Sequence, residues 1–227
     1  MATVVERFEA RTEPEERPAP EPAMYFRFDN ATWETYETVL EAVGERPVYV
    51  TYDRGALELM APSFEHESPK MQFHQLVVVF AGEYRFKLVS SGSTTFKKKK
   101  EDQGFEPDQS YYLRSAQKLL RGKLNVGKGP PPDLAVEIDV YSASLDRLPL
   151  CQTWGVPEVW RYDGKAIEIL GLTKIGYRPL KQSKAFPGLT AAFLAEAFDR
   201  YDGDEIAWMD DVRRLVRERL RPGERRA

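Results

Sequence analysis

Apolar and polar residues alternate over residues 134–140, and this alternation is the most informative pattern in the chain. Successive side chains of a β-strand point to opposite sides, so a period of two predicts a strand with two distinct faces. The apolar face would carry Leu134, Val136, Ile138 and Val140. The other face would carry Ala135, Glu137 and Asp139. The predicted strand therefore places two carboxylates on the same side.

Shorter patterns predict helices and strands before and after this strand. A 3–4 spacing of apolar residues predicts a helix that starts near Trp33, is capped by Asn30 and ends at Gly44. Ser68 followed by Pro69 predicts the start of a second helix, which runs to about residue 88. Further strands are predicted at residues 48–52, 56–61, 94–96, 108–113, 156–162 and 166–172, and further helices at 145–154, 190–200 and 205–220. The sum is an α/β fold with a central mixed β-sheet flanked by helices.

Length and composition suit one well-cored domain. The chain has 227 residues, of which 42% are apolar and 30% are charged, and these fractions are typical of globular proteins. No apolar run approaches the length of a membrane span, and no secretion signal is visible at the N-terminus, so no membrane segment is expected. The single cysteine, Cys151, cannot form an internal disulfide. These features together predict a cytoplasmic protein.

The distribution of charge limits where nucleic acid could bind. The net charge is −3, whereas proteins that bind nucleic acid are often strongly basic because phosphate contacts need Lys and Arg. Any such contact must then rest on local basic patches, and two exist, at residues 97–100 and 213–226. Each patch is open to a second interpretation, as a solvated face or a tail. Residues 1–23 contain four prolines and six glutamates, which predicts a disordered tail.

The carboxylates of the predicted strand suggest a metal site. Glu137 and Asp139 repel each other when both are ionised, and a divalent cation would remove that penalty because hard cations take oxygen ligands. Asp108 opens another predicted strand and would bring a third carboxylate to the same place if the two strands are neighbours. The alternative is that this face is exposed to solvent. Periodicity alone favours that alternative, since half-buried strands alternate apolar and polar residues as a matter of course.

Two other candidate motifs are weaker. His66 and His74 are the only histidines, and a zinc site would need more ligands at closer spacing. Residues 122–128 have the glycine and lysine spacing of a phosphate-binding P-loop, but Gly129 stands where that loop needs a hydroxyl. A helix cannot follow directly, because Pro130 to Pro132 interrupt it. We interpret the P-loop pattern as a coincidence in a connecting segment.

Several short motifs occur in a fixed order around the acidic residues. They are Gly104-Phe105-Glu106-Pro107-Asp108, Tyr111-Tyr112-Leu113, Pro131-Pro132-Asp133-Leu134-Ala135-Val136-Glu137, Ser142-Ala143-Ser144 and Gly155-Val156-Pro157-Glu158-Val159-Trp160. This order resembles the Uma2 family over residues 33–160, with weaker likeness to about residue 198. The family is assigned to the PD-(D/E)xK nuclease superfamily, which implies a restriction-endonuclease-like core. The domains implied are a disordered acidic tail at 1–23, a Uma2-like nuclease domain at 24–200, and a C-terminal helix with a basic tail at 201–227.

The resemblance implies a metal site on two adjacent strands. Asp108 would be the first ligand of Mg²⁺ (or Mn²⁺), Glu137 the second, and the backbone carbonyl of Ile138 the third. An acidic residue of the first core helix often joins them in this superfamily, and Glu67 is the candidate. The stretch 65–67, centred on His66, also resembles a recurring position of the family.

This sequence departs from the superfamily pattern at the catalytic lysine, which normally follows the glutamate by two residues. The position holds Asp139, which would bind a second metal ion or act as a general base. Positive charge would instead come from the lysine run, with Lys97 and Lys99 on one face of a strand as catalytic candidates. Lys98 and Lys100, on the other face, would contact nucleic acid.

A second basic candidate is Arg147, which stands where many Uma2 proteins carry a helix lysine. Arginine does not act as a base near neutral pH, but its guanidinium can clamp a phosphate. Two functions from different classes stay open at this point. The first is a metal-dependent endonuclease that hydrolyses DNA as a homodimer, since two-fold pairs are the commonest oligomers. The second is a catalytically inert protein that binds nucleic acid or a partner on the same fold, and the missing lysine favours it.

Overall fold

The computed structural model describes residues 24–114, 116–119, 129–140 and 145–220. Eleven strands and six α-helices lie within these ranges. The strands are β1 (Met24–Phe28), β2 (Tyr49–Asp53), β3 (Ala56–Ala61), β4 (Val89–Ser90), β5 (Phe96–Lys98), β6 (Gln103–Phe105), β7 (Gln109–Tyr112), β8 (Leu134–Ile138), β9 (Glu158–Tyr162), β10 (Ile167–Thr173) and β11 (Gly176–Pro179). The helices are α1 (Trp33–Val43), α2 (Phe64–Glu83), α3 (Ala116–Leu119), α4 (Leu148–Trp154), α5 (Ala191–Asp199) and α6 (Glu205–Arg219).

Some of the features predicted from the sequence lie outside the described residues. They are the tail at 1–23, the P-loop-like stretch at 122–128, the serine motif at 142–144 and the basic end of the chain from residue 221. Within the described ranges, no helix is long and apolar enough to cross a membrane.

The strands form two sheets rather than the single sheet predicted from the sequence. One sheet has five antiparallel strands in the order β1-β3-β2-β6-β5. The other has six strands in the order β11-β10-β9-β8-β7-β4. In this second sheet β8 and β9 run parallel and the other neighbours run antiparallel. The predicted α/β fold with a mixed sheet flanked by helices is confirmed, and the five-stranded sheet adds to it.

Strand β8 is buried on both faces, which places its carboxylate-bearing side inside the protein. Its apolar face, with Leu134, Val136 and Ile138, joins the main hydrophobic core together with side chains of α2, α5 and α6. On the other face Ala135 packs with Trp154 and other residues of α4. Helix α4 therefore covers the face that carries Glu137, and the alternative of a solvent-exposed face is wrong at this strand.

Helix α2 begins at Phe64, earlier than the predicted start at Pro69. The Ser63 carbonyl accepts hydrogen bonds from the backbone N–H groups of His66 and Glu67, at 3.1 and 2.9 Å, and these bonds close the first turn. The prediction was wrong because proline is commonest at the first helical position, whereas Pro69 here lies inside the helix. As a consequence, His66 and Glu67 are held rigidly within the first helical turn.

Two other element boundaries differ from the prediction. Helix α1 is capped by Thr32, whose Oγ1 accepts a hydrogen bond from the Thr35 N–H at 3.2 Å. Asn30, the predicted cap, instead adopts a φ of 61° two residues before it. Gly44 ends α1 as predicted, with a φ of 58°. Strand β5 occupies Phe96–Lys98 rather than residues 94–96, which changes where the lysine run lies.

Gly104 in β6 lies directly against the ring of Tyr36, which is fully buried. A Cβ at position 104 would overlap the Tyr36 ring and hydroxyl, and that ring stacks on Tyr52 with 5.3 Å between centroids. We expect Gly104→Ala to lower the free energy of unfolding in urea by about 1–3 kcal/mol, because the buried ring has no free space to move into. Gly82→Ala, where a Cβ meets nothing within 4 Å, is the control and should stabilise helix α2 by about 0.5–1 kcal/mol. Equal stability of the two variants would contradict this account.

Candidate active site

Asp108 and Glu137 lie beside each other on neighbouring strands. Strands β7 and β8 are antiparallel, with Gln109 opposite Val136, so the next pair along this register is Asp108 with Glu137. Both side chains are buried, with 0% and 1% of their surface exposed. The prediction that Asp108 reaches the same place as Glu137 is therefore confirmed at the level of strand pairing.

A single guanidinium bridges the two carboxylates. Arg147 Nη1 donates to Asp108 Oδ1 at 3.0 Å and to Glu137 Oε2 at 3.1 Å. Arg147 is only 5% exposed, and it is the residue from which helix α4 begins. One oxygen of each carboxylate thus contacts the same cationic nitrogen.

Further donors hold the two carboxylates in place. The backbone N–H of Ile138 donates to Asp108 Oδ2 at 2.7 Å, so both oxygens of Asp108 are fixed. Glu137 Oε1 lies 3.9 Å from Cys151 Sγ, within reach of a weak S–H hydrogen bond. Cys151 is free and fully buried. Besides the shared Arg147, Asp108 is therefore held by a backbone group of β8, and Glu137 lies near a side chain of α4.

His66 connects Asp108 to the protein surface. Its Nε2 lies 3.2 Å from Asp108 Oδ1, within ion-pair distance but outside hydrogen-bond geometry. Its Nδ1 lies 3.2 Å from Glu67 Oε1, and Lys70 Nζ donates to both oxygens of Glu67 at 3.2 and 3.0 Å. Lys70 also donates to the Tyr49 hydroxyl at 2.5 Å. The predicted fourth ligand, Glu67, therefore reaches Asp108 through His66, and the histidine is the closer residue.

Glu58 is a site residue that the sequence analysis missed. It lies on β3 in the five-stranded sheet, is 1% exposed, and its Oε2 accepts from the Leu145 N–H at 2.9 Å. Burial raises the pKa of Glu58, the Leu145 N–H and Arg147 oppose that shift, and Asp139 adds to it. The only available signal was the pattern of strand 56–61, in which a carboxylate shares a face with Met60. The convergence of Glu58 with Asp139 depends on the packing of two sheets, which no local pattern reveals.

Asp139 follows β8 directly and is half-buried. Its backbone N–H donates to the Tyr162 carbonyl at 2.7 Å, which anchors the end of the strand. Burial raises the pKa of its carboxyl, Arg147 and Arg161 lower it, and the charge of Asp108 adds to the rise. Asp139 therefore interacts electrostatically with the Asp108–Arg147 pair.

The lysine run lies against helix α1 and helix α4. Strand β5 ends at Lys98, and Lys99–Glu101 form a 3₁₀ turn, so the predicted alternation of faces through residue 100 is wrong. Lys97 Nζ lies 2.6 Å from Glu37 and Lys99 Nζ 3.1 Å from Glu34, both on α1. Lys98 Nζ donates to the Thr153 carbonyl at 3.1 Å and lies over the Trp154 ring. A catalytic role for Lys97 and Lys99 stays a prediction.

The C-terminal arginines that fall within the described residues form ion pairs. Four such pairs involve α6, namely Arg213 with Asp210, Arg214 with Asp211, Arg217 with Glu83, and Arg219 with Glu196. This part of the basic patch is consequently matched by carboxylates, as expected for a solvated helix face.

Comparison with known proteins decides the family. The family model described as "Uma2: Putative restriction endonuclease" matches residues 33–198, well over half of the chain. The chain belongs to the Uma2 family. The resemblance inferred from the motifs around Asp108 and Glu137 is thereby confirmed, and membership implies a nuclease with nucleic acid as its substrate.

Other comparisons are more distant. A solved crystal structure of "a putative nuclease belonging to DUF820" from Anabaena variabilis ATCC 29413 is 13% identical to this Uma2 chain, with a TM-score of 0.48. The match covers 77% of this chain and 98% of that chain. No curated protein matches the sequence.

In this Uma2 site the pKa values of the two carboxyls, Asp108 and Glu137, are shifted in opposite directions. Burial would raise the pKa of Asp108, but Arg147, His66 and the Ile138 N–H outweigh burial and lower this pKa to about 2. Burial raises the pKa of Glu137 to about 8, and although Arg147 opposes the shift, the charge of Asp108 adds to it. The surroundings therefore favour ionisation of Asp108 and disfavour ionisation of Glu137.

The pKa of His66 is also shifted. Burial lowers its pKa, but the carboxylates of Asp108 and Glu67 outweigh burial and raise the pKa to about 9. Arg147, the other cation nearby, opposes that rise. The imidazole is therefore a cation at neutral pH; its Nδ1 is hydrogen-bonded to Glu67 and its Nε2 lies at ion-pair distance from Asp108.

These shifts predict how the stability of the metal-free protein varies with pH. His66 and Glu137 have folded-state pKa values of about 9 and about 8, above their ordinary values of 6.5 and 4.5. The folded chain then binds more protons than the unfolded chain, so stability is lost as pH rises through those values. We expect the free energy of unfolding in urea, with a chelator present, to fall by a few kcal/mol as the pH rises to about 9, from about pH 4.5 for Glu137 and from about pH 6.5 for His66. His66→Gln should flatten this decline, and an unchanged profile in that variant would refute the assignment.

The donor set fits a hard divalent cation in its chemistry and charge. The guanidinium of Arg147 pairs with Asp108 and Glu137 and interacts electrostatically with Glu58 and Asp139. Glu58 Oε1, His66 Nε2 and Arg147 Nε are buried without a hydrogen-bond partner in the described part of the chain. Across the same ranges, no three side chains form a ready metal cluster. The oxygens that suit a cation are present, and Arg147 competes for them.

Proposed function

We propose that this Uma2 protein is a metal-dependent endonuclease that hydrolyses phosphodiester bonds in DNA. One observation carries the proposal: the buried carboxylates of Asp108 and Glu137 converge on a single cationic point. Buried carboxylates are costly unless they are paired with cations. In a family of nucleases, such a pair is a candidate for the catalytic site.

Mg²⁺ (or Mn²⁺) is the proposed cofactor. Asp108 and Glu137 would hold it, with the Ile138 carbonyl as a backbone ligand, and Glu67 would assist through His66. The ion would supply Lewis acidity toward a phosphate oxygen and lower the pKa of a water molecule. These ligands are hard oxygen donors of the kind that Mg²⁺ takes.

Other residues of the chain would carry out the remaining steps of catalysis. Arg147 would turn from the carboxylates toward a phosphate, where its planar guanidinium would offset negative charge on the scissile group. Asp139, whose pKa is raised by burial, would accept a proton from the attacking water. Lys97 and Lys99 would supply positive charge for the leaving oxygen. Their present ion pairs are exposed and therefore weak.

DNA is the proposed partner of the remaining cationic residues. Lys98 and Lys100 would contact its backbone, and Arg147 would contact the phosphate nearest the carboxylates. We also propose a homodimer, because cutting both strands of a duplex with one site per chain is simplest with two chains. Action on cellular DNA further suggests a cytoplasmic location.

One observation favours a second function, a catalytically inert protein that binds nucleic acid on the same fold. Arg147 already neutralises Asp108 and Glu137 at 3.0 and 3.1 Å, and the usual lysine is replaced by Asp139. A protein in which arginine permanently took the place of the metal ion would bind nucleic acid without cutting it.

Nicking of supercoiled plasmid in the presence of Mn²⁺ separates the two functions. We expect the wild-type protein to nick the plasmid and Asp108→Asn to lose this activity. Asp199→Asn changes an exposed carboxylate on α5 and is the matched control, which should nick at the wild-type rate. Binding of the plasmid without cleavage by folded wild-type protein would favour the inert alternative, and equal cleavage by both variants would refute the site.

A further inference from the structure

A second concave site lies at the opposite end of the six-stranded sheet from Asp108 and Glu137. The cavity has a volume of 410 Å³ and is lined by residues 85–87 after α2, the end of β7, the start of β9 and the loop between β11 and α5. Asp133, immediately before β8, lies on its wall, whereas Glu137 lies near the other end of the same strand. Asp133 and Glu137 are four residues apart along the strand, which at about 3.3 Å per residue corresponds to roughly 13 Å.

The walls of this cavity are largely apolar. They are formed by Phe86, Leu113, Pro157 and Pro187. Phe86 also stacks on Phe186 in the core, with 6.1 Å between ring centroids. An apolar wall that includes an aromatic ring suits a flat organic group, and the volume falls within the range of small-molecule sites, roughly 300–1,000 Å³.

Four cationic side chains surround the cavity mouth. They are Arg85, Lys87, Arg114 and Lys184, and all four are exposed. Among the residues that the structure describes, none of these four forms an ion pair with a carboxylate. Arg114 is oriented by a hydrogen bond from its Nη2 to the Lys184 carbonyl at 2.9 Å. With four cations and the two carboxylates of Asp133 and Glu158, the cavity lining carries a net positive charge.

The two carboxylates on the cavity wall are held by donors of the wall itself. Glu158 accepts from Trp160 Nε1 at 2.8 Å, from Ser183 Oγ at 2.6 Å, and from two backbone N–H groups of the following loop. Asp133 Oδ2 accepts from the backbone N–H groups of Leu113 and Arg114, at 2.8 and 3.0 Å. These bonds shape the cavity and leave the rim cations available to an anion.

We propose that this cavity binds a free mononucleotide, with its base against the apolar wall and its phosphate at the cationic rim. The combination of features selects this class of ligand. Inorganic phosphate would use the rim but not the walls, and the convex backbone of duplex DNA would reach the rim but could not enter a cavity of this size. The site is separate from Asp108 and Glu137 and does not depend on the nuclease proposal.

Calorimetric titration with adenosine monophosphate tests the proposal. We expect one bound nucleotide per chain, and at least about a tenfold loss of affinity in Lys87→Ala/Lys184→Ala. The control is Lys165→Ala/Lys174→Ala, which removes two exposed lysines from the turns that flank β10 and should leave the affinity unchanged. Glu137→Gln should also leave it unchanged, since that residue lies at the other end of the sheet.

Each other outcome overturns the proposal in a recognisable way. An absence of binding at millimolar nucleotide would show that the cavity is not a nucleotide site. Equal losses of affinity in the two double variants would show that only net charge matters. Inorganic phosphate that binds as tightly as the nucleotide would show that the apolar walls play no part. If a short DNA duplex bound only when Lys87 and Lys184 were present, and the nucleotide did not compete with it, the rim would be a nucleic-acid surface instead.

Discussion

Replacement of Arg147 by methionine is expected to lower the free energy of unfolding by about 3–5 kcal/mol. The physical reason is that the guanidinium is the shared partner of two carboxylates that are 0% and 1% exposed. Methionine preserves much of the side-chain volume but leaves those carboxyls to face each other without a cation, and removing one partner of a buried ion pair is far more destabilising than removing both. Urea denaturation at neutral pH measures the effect.

The controls for this variant separate charge from packing. Arg161→Met removes an arginine whose ion pair with Glu168 is about one-third exposed, and it should change the stability by no more than about 1 kcal/mol. Mn²⁺ should raise the melting temperature of Arg147→Met more than that of the wild type, because the ion would replace the missing positive charge. A stability of Arg147→Met within 1 kcal/mol of the wild type would contradict the bridging geometry.

Glu137→Gln is expected to abolish plasmid nicking while stabilising the protein. Burial and the charge of Asp108 raise the pKa of Glu137 to about 8, so ionisation of this carboxyl opposes folding above its ordinary pKa. Glutamine keeps the shape and removes the titration, and we expect a gain of a few kcal/mol at pH 9 that vanishes below about pH 5. Loss of a metal ligand should reduce nicking by several orders of magnitude.

Opposite changes in activity and stability are what distinguish a functional carboxylate from a structural one. Glu41→Gln, at an exposed position on α1, is the matched control and should alter neither property. If Glu137→Gln instead destabilised the protein and left nicking intact, the carboxylate would be a structural partner of Arg147, and the site would have to be sought elsewhere.

The carboxylate pair could be predicted from sequence because it depends on local patterns and a linked set of motifs. The period of two over residues 134–140 assigned Glu137 to the face opposite Val136, and burial of both faces agrees with that assignment. The family motifs supplied Asp108. The pairing of β7 with β8 then followed from the family fold rather than from periodicity.

The contacts that complete the site could not be predicted, because they depend on how separate elements pack together. Glu58 reaches it from the five-stranded sheet, and His66 reaches Asp108 because α2 starts five residues before the proline that suggested its start. Arg147 was identified as a phosphate contact, but nothing in the sequence places its guanidinium between the two carboxylates. Long-range packing decides these contacts.

The lysine run illustrates the limit of strand periodicity. Alternation was extended through residue 100, whereas β5 ends at Lys98 and the next three residues turn. The chain can turn there because Asp102 adopts the left-handed conformation, with a φ of 53°. A polar run with no apolar partner residues gives no signal for where a strand stops.

Calorimetric titration of the chelator-treated protein with Mn²⁺ tests the central claim, that Asp108 and Glu137 hold a divalent cation, most directly. The account predicts one binding event in the wild type that is lost in both Asp108→Asn and Glu137→Gln and retained in Glu41→Gln. Arg147→Met should bind Mn²⁺ more tightly than the wild type, because the competing guanidinium is gone. Equally weak binding by the wild type, Asp108→Asn and Glu137→Gln would show that this pair of carboxylates is not a metal site.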